Sequence, residues 1–90
     1  MDARQIMGWN LRLLRVERGL SQERLAFEAR IDRAYVGRVE RGMENVTIAT
    51  IEALARALEV PVAALFSQPD RNASQPKPLR SGRKPKSSKQ

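Results

Sequence analysis

Apolar residues recur along this chain at helical spacing, and short polar caps divide the pattern into segments. Between Ile6 and Arg18, Met7, Leu11 and Leu14 fall at intervals of four and three, which predicts one buried face of a helix. Ile6, Trp9, Leu13 and Val16 form a second stripe on nearly the opposite side. Such a helix either lies between two layers of a small bundle or offers an apolar face to a partner. Residues 1–5 carry no helical signal and are expected to fray. Gly19 ends the helix. One grammar then repeats three times: an apolar residue, a capping residue, and a second apolar residue four positions beyond the cap. The sets are Leu20, Ser21 and Leu25; Ile31, Asp32 and Val36; and Val46, Thr47 and Ile51. Each predicts a helix N-terminus with a hydrophobic staple across it.

The first two of these helices lie so close in sequence that they must cross steeply. The first ends near Ala29 or Arg30 and the second begins after Asp32, which is the helix-turn-helix arrangement. In helix 2, Leu25, Ala26 and Ala29 are predicted to face inward, with Gln22 and Glu23 in the first turn. A side-chain amide beside free N–H groups at a helix N-terminus suits a phosphate oxygen, although an exposed polar residue would look the same. In helix 3, Val36 and Val39 can be buried, leaving Arg33, Gly37 and Arg41, with Ala34 and Arg38, on the opposite face. An arginine fork can donate two hydrogen bonds to guanine in the DNA major groove, and an alanine methyl can touch that of thymine. A merely solvated face is the plainer alternative. Gly37 is unfavourable inside a helix and suggests a close approach there.

A fourth helix runs from Thr47 to about Glu59, with Ile48, Ile51, Leu54, Ala55 and Leu58 as its inward stripe. Val60 and Pro61 break it, and a short fifth helix from Val62 to Phe66 follows. The expected fold is therefore all-α: a compact five-helix bundle over residues 1–66 containing the helix-turn-helix. After Ser67 the composition changes. Residues 67–90 hold four of the five prolines and all the lysines, with Leu79 their only large apolar residue, and are expected to form a disordered basic tail.

Length and charge narrow the chemistry. Ninety residues suffice for one small domain, and the absence of cysteine and histidine removes disulfides, thiolate catalysis and the usual transition-metal sites; no cofactor is expected. No apolar run could span a bilayer and the first residues do not begin a secretory signal, so a cytoplasmic protein without a membrane partner is expected. The net charge of +7 is uneven: residues 1–66 carry ten arginines against nine carboxylates, and residues 67–90 carry seven cations against one aspartate. Affinity for nucleic acid must come from a local basic face plus the tail. The carboxylates sit mostly beside arginines on polar faces, which ion pairing explains and catalysis does not; no enzyme is expected.

The runs GLSQERLAFEA, DRAYVGRVERG and NVTIATIEALARALEV, in that order, resemble the lambda-repressor-like (XRE) helix-turn-helix family of bacterial and phage regulators. The resemblance covers about Ile6 to Phe66 and implies that helix 3 enters the major groove. It assigns phosphate contacts to Gln22 and Asn45, a buried ion pair to Arg15 and Glu40, and a dimer contact to the end of the domain at Val62, Leu65 and Phe66. The chain departs from the family at Arg30, where a glycine is usual, and at Val46 and Ala49, where proline and glutamate are frequent.

Together these features predict a sequence-specific regulator of transcription that binds double-stranded DNA as a homodimer on a palindromic site, in the bacterial cytoplasm at the nucleoid. Arg33, Ala34, Tyr35 and Arg38 would read bases, while Gln22, Arg41 and Asn45 would hold phosphates. Two alternatives remain open. One is an antitoxin or anti-activator that binds a protein partner through the tail or the Trp9 stripe; the other is non-specific binding through the tail alone.

Overall fold

The structure, a computed structural model, describes residues 1–69. These form α1 (Ala3–Glu17), α2 (Gln22–Ala29), α3 (Arg33–Glu40), α4 (Ile48–Leu58) and a closing 3-10 helix (Val62–Phe66), with no strand among the described residues. The expected tail falls outside them beyond Pro69.

The predicted caps form as hydrogen bonds. Ser21 accepts from the Arg24 N–H, Asp32 from that of Ala34 and Thr47 from that of Thr50, at 2.9, 2.9 and 3.1 Å. A fourth cap corrects the expectation that residues 1–5 fray. Asp2 accepts from the Gln5 N–H while Gln5 Oε1 accepts from the Asp2 N–H, both at 2.9 Å, so α1 begins at Ala3. The N–H of Gln5 holds the Asp2 carboxyl below its usual pKa. The last element is also corrected, because it winds as a 3-10 turn with the Ala64 N–H donating to the Pro61 carbonyl at 2.9 Å. Five residues after a proline are too few for an α-helix to repay its nucleation.

α1 packs on α3 and on the 3-10 helix, and α2 packs on α3 and α4. Met7, Leu11, Leu25, Val36, Val39, Leu54, Leu58 and Leu65 fill the centre. The closest approach is at Gly8, where an added Cβ would lie 2.4 Å from the Val39 carbonyl oxygen and 2.8 Å from that of Glu40. Any side chain there would push α1 off α3. Asn10, buried on the next turn, ties α1 to the closing segment: its Nδ2 donates to the carbonyls of Ile6, Leu65 and Ser67 at 3.0, 3.2 and 2.7 Å.

Two apolar assignments change. Ile48 is 75% exposed despite its place on the inward stripe, since periodicity sets a face but not how far along it a neighbour extends. The second stripe of α1 is only half-buried, and Ile6, Trp9, Leu13 and Val16 are not among the residues packed against the central cluster. α1 is therefore covered on one side, not sandwiched between two layers.

α2 and α4 both end in left-handed backbone without glycine. Arg30 has φ 63° and Glu59 φ 59°, and the following Ile31 and Val60 N–H groups donate to the carbonyls of Ala26 and Ala55, each at 3.0 Å. The helix-turn-helix bend thus keeps a glycine-type geometry on an arginine, at a cost of about 1–2 kcal/mol.

Candidate nucleic-acid interface

α3 is fixed on three sides. Asp32 caps its start, Val36 and Val39 anchor its inner face, and its last turn carries Glu40, whose side chain is 3% exposed. Burying that carboxylate requires partners, and it has two. Arg15 Nε donates to Oε2 at 2.6 Å and Arg15 Nη2 to Oε1 at 3.2 Å. Gln22 Nε2 donates to Oε1 at 2.9 Å. Arg15 spends its remaining terminal nitrogen, Nη1, on the Leu20 carbonyl at 2.8 Å. α1, α2 and α3 therefore meet at one satisfied charge. A pair of this kind adds little net stability, yet losing one member strands the other and costs about 3–5 kcal/mol.

On the outer face, Arg33 and Ala34 are exposed and Tyr35 and Arg38 half-buried. The Arg38 guanidinium lies over the Tyr35 ring, 5.7 Å from its centre, and its Nε donates to Glu44 Oε2 at 2.6 Å. Gly37 corrects the sequence reading: it is buried rather than exposed. An added Cβ would meet Arg41 Nη1 at 3.4 Å and the Gln22 amide at 3.8 Å. The close approach expected at this glycine is made by the chain's own side chains, and the missing Cβ lets Gln22 and Arg41 lie across α3.

Arg41 and Asn45 are exposed at and beyond the end of α3. The structure thus gathers Gln22, Arg33, Ala34, Tyr35, Arg38 and Arg41 on and beside α3, with Asn45 on the loop that follows. At the other end of the domain Val62 and Phe66 are 40% and 43% exposed, whereas Leu65 is fully buried in the core. Helical phase had not marked Glu44, which lies six residues from Arg38 across a helix end, or Asn10. Among the described residues no cluster of carboxylates could hold a metal ion, and no helix is long and apolar enough to cross a membrane.

A short capped helix with a cationic outer face, set against a second helix by a left-handed turn, defines a helix-turn-helix protein. The chain belongs to the XRE-type helix-turn-helix family, whose pattern residues 11–65 match. It is 43% identical over 68 residues to a hypothetical transcription factor of Neisseria meningitidis serogroup B, covering 76% of this chain and 64% of that one. It therefore spans just under two thirds of that relative's length. Among solved structures it resembles the restriction-modification controller protein C.AhdI of Aeromonas hydrophila at 49% identity and a TM-score of 0.69, covering 70% of this chain and 96% of that one. It also resembles C.Esp1396I, a controller protein solved as a tetramer in complex with its natural 35 base-pair operator, at 30% identity and a TM-score of 0.67, covering 73% and 87%.

Proposed function

We propose that this protein is a sequence-specific DNA-binding regulator of transcription that acts as a homodimer on a palindromic operator. The observation that carries the reading is α3 itself: it presents Arg33, Ala34 and Arg38 outward, with Tyr35 half-buried beside them against the core, while the Arg15–Glu40–Gln22 cluster holds its base. Arg33 and Arg38 would donate to guanine, Ala34 would touch a thymine methyl, and Tyr35 would reach a base edge or a phosphate. Arg41 and Asn45 would hold the backbone and set register. Gln22 would join them through the second N–H of Nε2, the first being given to Glu40.

One short helix reads only a few base pairs, so two copies with centres about 34 Å apart suit the task. Val62 and Phe66 supply exposed apolar surface for that dimer, with Leu65 supporting them from the core. C.Esp1396I, solved as a tetramer on its operator, supports DNA binding by more than one copy. Residues 1–66 would form the binding domain and residues 67–90 a basic arm that adds phosphate contacts. Such a regulator works in the bacterial cytoplasm, at the nucleoid. The half-exposed Trp9 stripe favours a second role as a protein-interaction module of the antitoxin or anti-activator type.

The test begins with selection of preferred sites from random duplex DNA by the full chain. Anisotropy titrations of the selected duplex and a scrambled one follow, at several salt concentrations. The regulator reading expects at least about 10³-fold preference for the selected site. It also expects Arg38→Ala to relax discrimination at one or two base pairs by about 1–3 kcal/mol each. Equal affinity for both duplexes overturns it.

A further inference from the structure

We propose that Glu44 is a positioning residue for Arg38 that aims its guanidinium at the base edge; the inference rests on the regulator reading above. The local backbone brings the two together. Gly42, at φ 73°, reverses the chain after α3, and the Met43 N–H donates back to the Arg38 carbonyl at 2.9 Å. The next residue, Glu44, is thereby laid beside the side chain of Arg38.

The pairing uses one edge of each group. Arg38 Nε donates to Glu44 Oε2 at 2.6 Å, and neither Nη1 nor Nη2 donates a hydrogen bond among the described residues. The two terminal nitrogens form one of the two guanidinium edges that can donate in parallel to guanine O6 and N7, and the only one left once Nε is taken. Glu44 therefore occupies the part of the guanidinium that bidentate reading can spare. Tyr35 supports the plane from its face. An exposed arginine would lose the freedom of its whole stem on binding, whereas one held at Nε and on one face has lost much of it already.

The clamp is itself partly withdrawn from solvent. The side chains of Arg38 and Glu44 are 42% and 27% exposed, and Glu44 shares the wall of a shallow groove with Met7, Val46, Ile51 and Phe66. A carboxylate this near a DNA-binding face repels phosphate. Removing its charge should therefore raise affinity for DNA of any sequence while lowering discrimination, a combination that a merely structural role would not produce.

The experiment measures the full chain, Glu44→Gln, Arg38→Ala and the double variant against the selected duplex and against every single base-pair substitution in it. The expected result is that Glu44→Gln loses at least about threefold discrimination at the base pairs that Arg38→Ala relaxes, and at no others. It should bind scrambled DNA as tightly as the wild type or more so, and cause no further loss of discrimination in the Arg38→Ala background. In the free protein, Glu44→Gln should also shift the Arg38 Nε–H resonance upfield, since the charged acceptor is gone. Unchanged discrimination at those base pairs, or an equal loss on every duplex, overturns the proposal. A wild-type chain with no base preference at any position overturns the regulator reading and this proposal with it, and is told apart by the wild-type data alone.

Discussion

Arg30 carries the bend between α2 and α3 in left-handed backbone that disfavours every side chain but glycine. Replacing it by glycine removes about 1–2 kcal/mol of strain, offset by about 0.4–1 kcal/mol from the freer unfolded chain. Arg30→Gly should therefore leave the domain at least as stable, gaining up to about 1.5 kcal/mol, read as a rise of as much as several degrees in Tm. A fall in Tm would show that the arginine side chain makes an interaction worth more than the strain. Glu59→Gly should gain less, because Glu59 also accepts from Arg18 Nη2 at 2.8 Å. The turn at Arg30 was legible because the resemblance puts glycine there. At Glu59 only the end of the helix was legible, from Pro61, because nothing in Leu58-Glu59-Val60 marks the left-handed backbone. Glu44 escaped for a related reason: its partner lies around a corner that no helical period describes.

At the scale of elements, the caps show what a sequence can announce. Ser21, Asp32 and Thr47 were visible because each sits between two apolar residues that pack across it, so a local hydrogen bond came with a pattern. Asp2 obeys the same spacing, with Met1 before it, Gln5 three positions on and Ile6 four, but the expectation that terminal residues fray hid it until its capping box emerged from geometry. Its effect on α1 is testable by pH. The folded pKa lies below the usual aspartate value of 3.8, so the cap contributes above that pH and fades as pH falls through the lower, folded value. The Gln5 amide proton should titrate with a midpoint below 3.8 by NMR, and Asp2→Ala should abolish the titration. A midpoint at or above 3.8 would show that the cap does not form in solution.

For the molecule as a whole, charge is divided between nearly neutral residues 1–66 and strongly basic residues 67–90. If α3 supplies preference and the end supplies attraction, truncation after Ser67 should weaken binding and flatten its salt dependence. The logarithmic slope should fall by about 0.9 for each phosphate that the basic end neutralises. Preference for the selected duplex over a scrambled one should survive, as anisotropy titration would measure. Disappearance of both together would assign recognition to the basic end. The order of the elements and the α type of the first four were legible because each of those helices buries one periodic face. The exposure of the Trp9 stripe was not, because periodicity records that a face is apolar and not whether another element covers it.

The charge buried where α1, α2 and α3 meet has an evolutionary consequence. Judged by folding alone, Arg15 and Glu40 are exchangeable for apolar residues of similar volume, with little loss or some gain. Gln22 would then lose the acceptor that fixes its amide at 2.9 Å, at the edge of the face that α3 presents. If Gln22 holds a phosphate as proposed, drift toward a drier core would blunt that hold before it disturbed the fold. Descendants that keep the pair should be those still selected for binding, and those that lose it should change Gln22 as well.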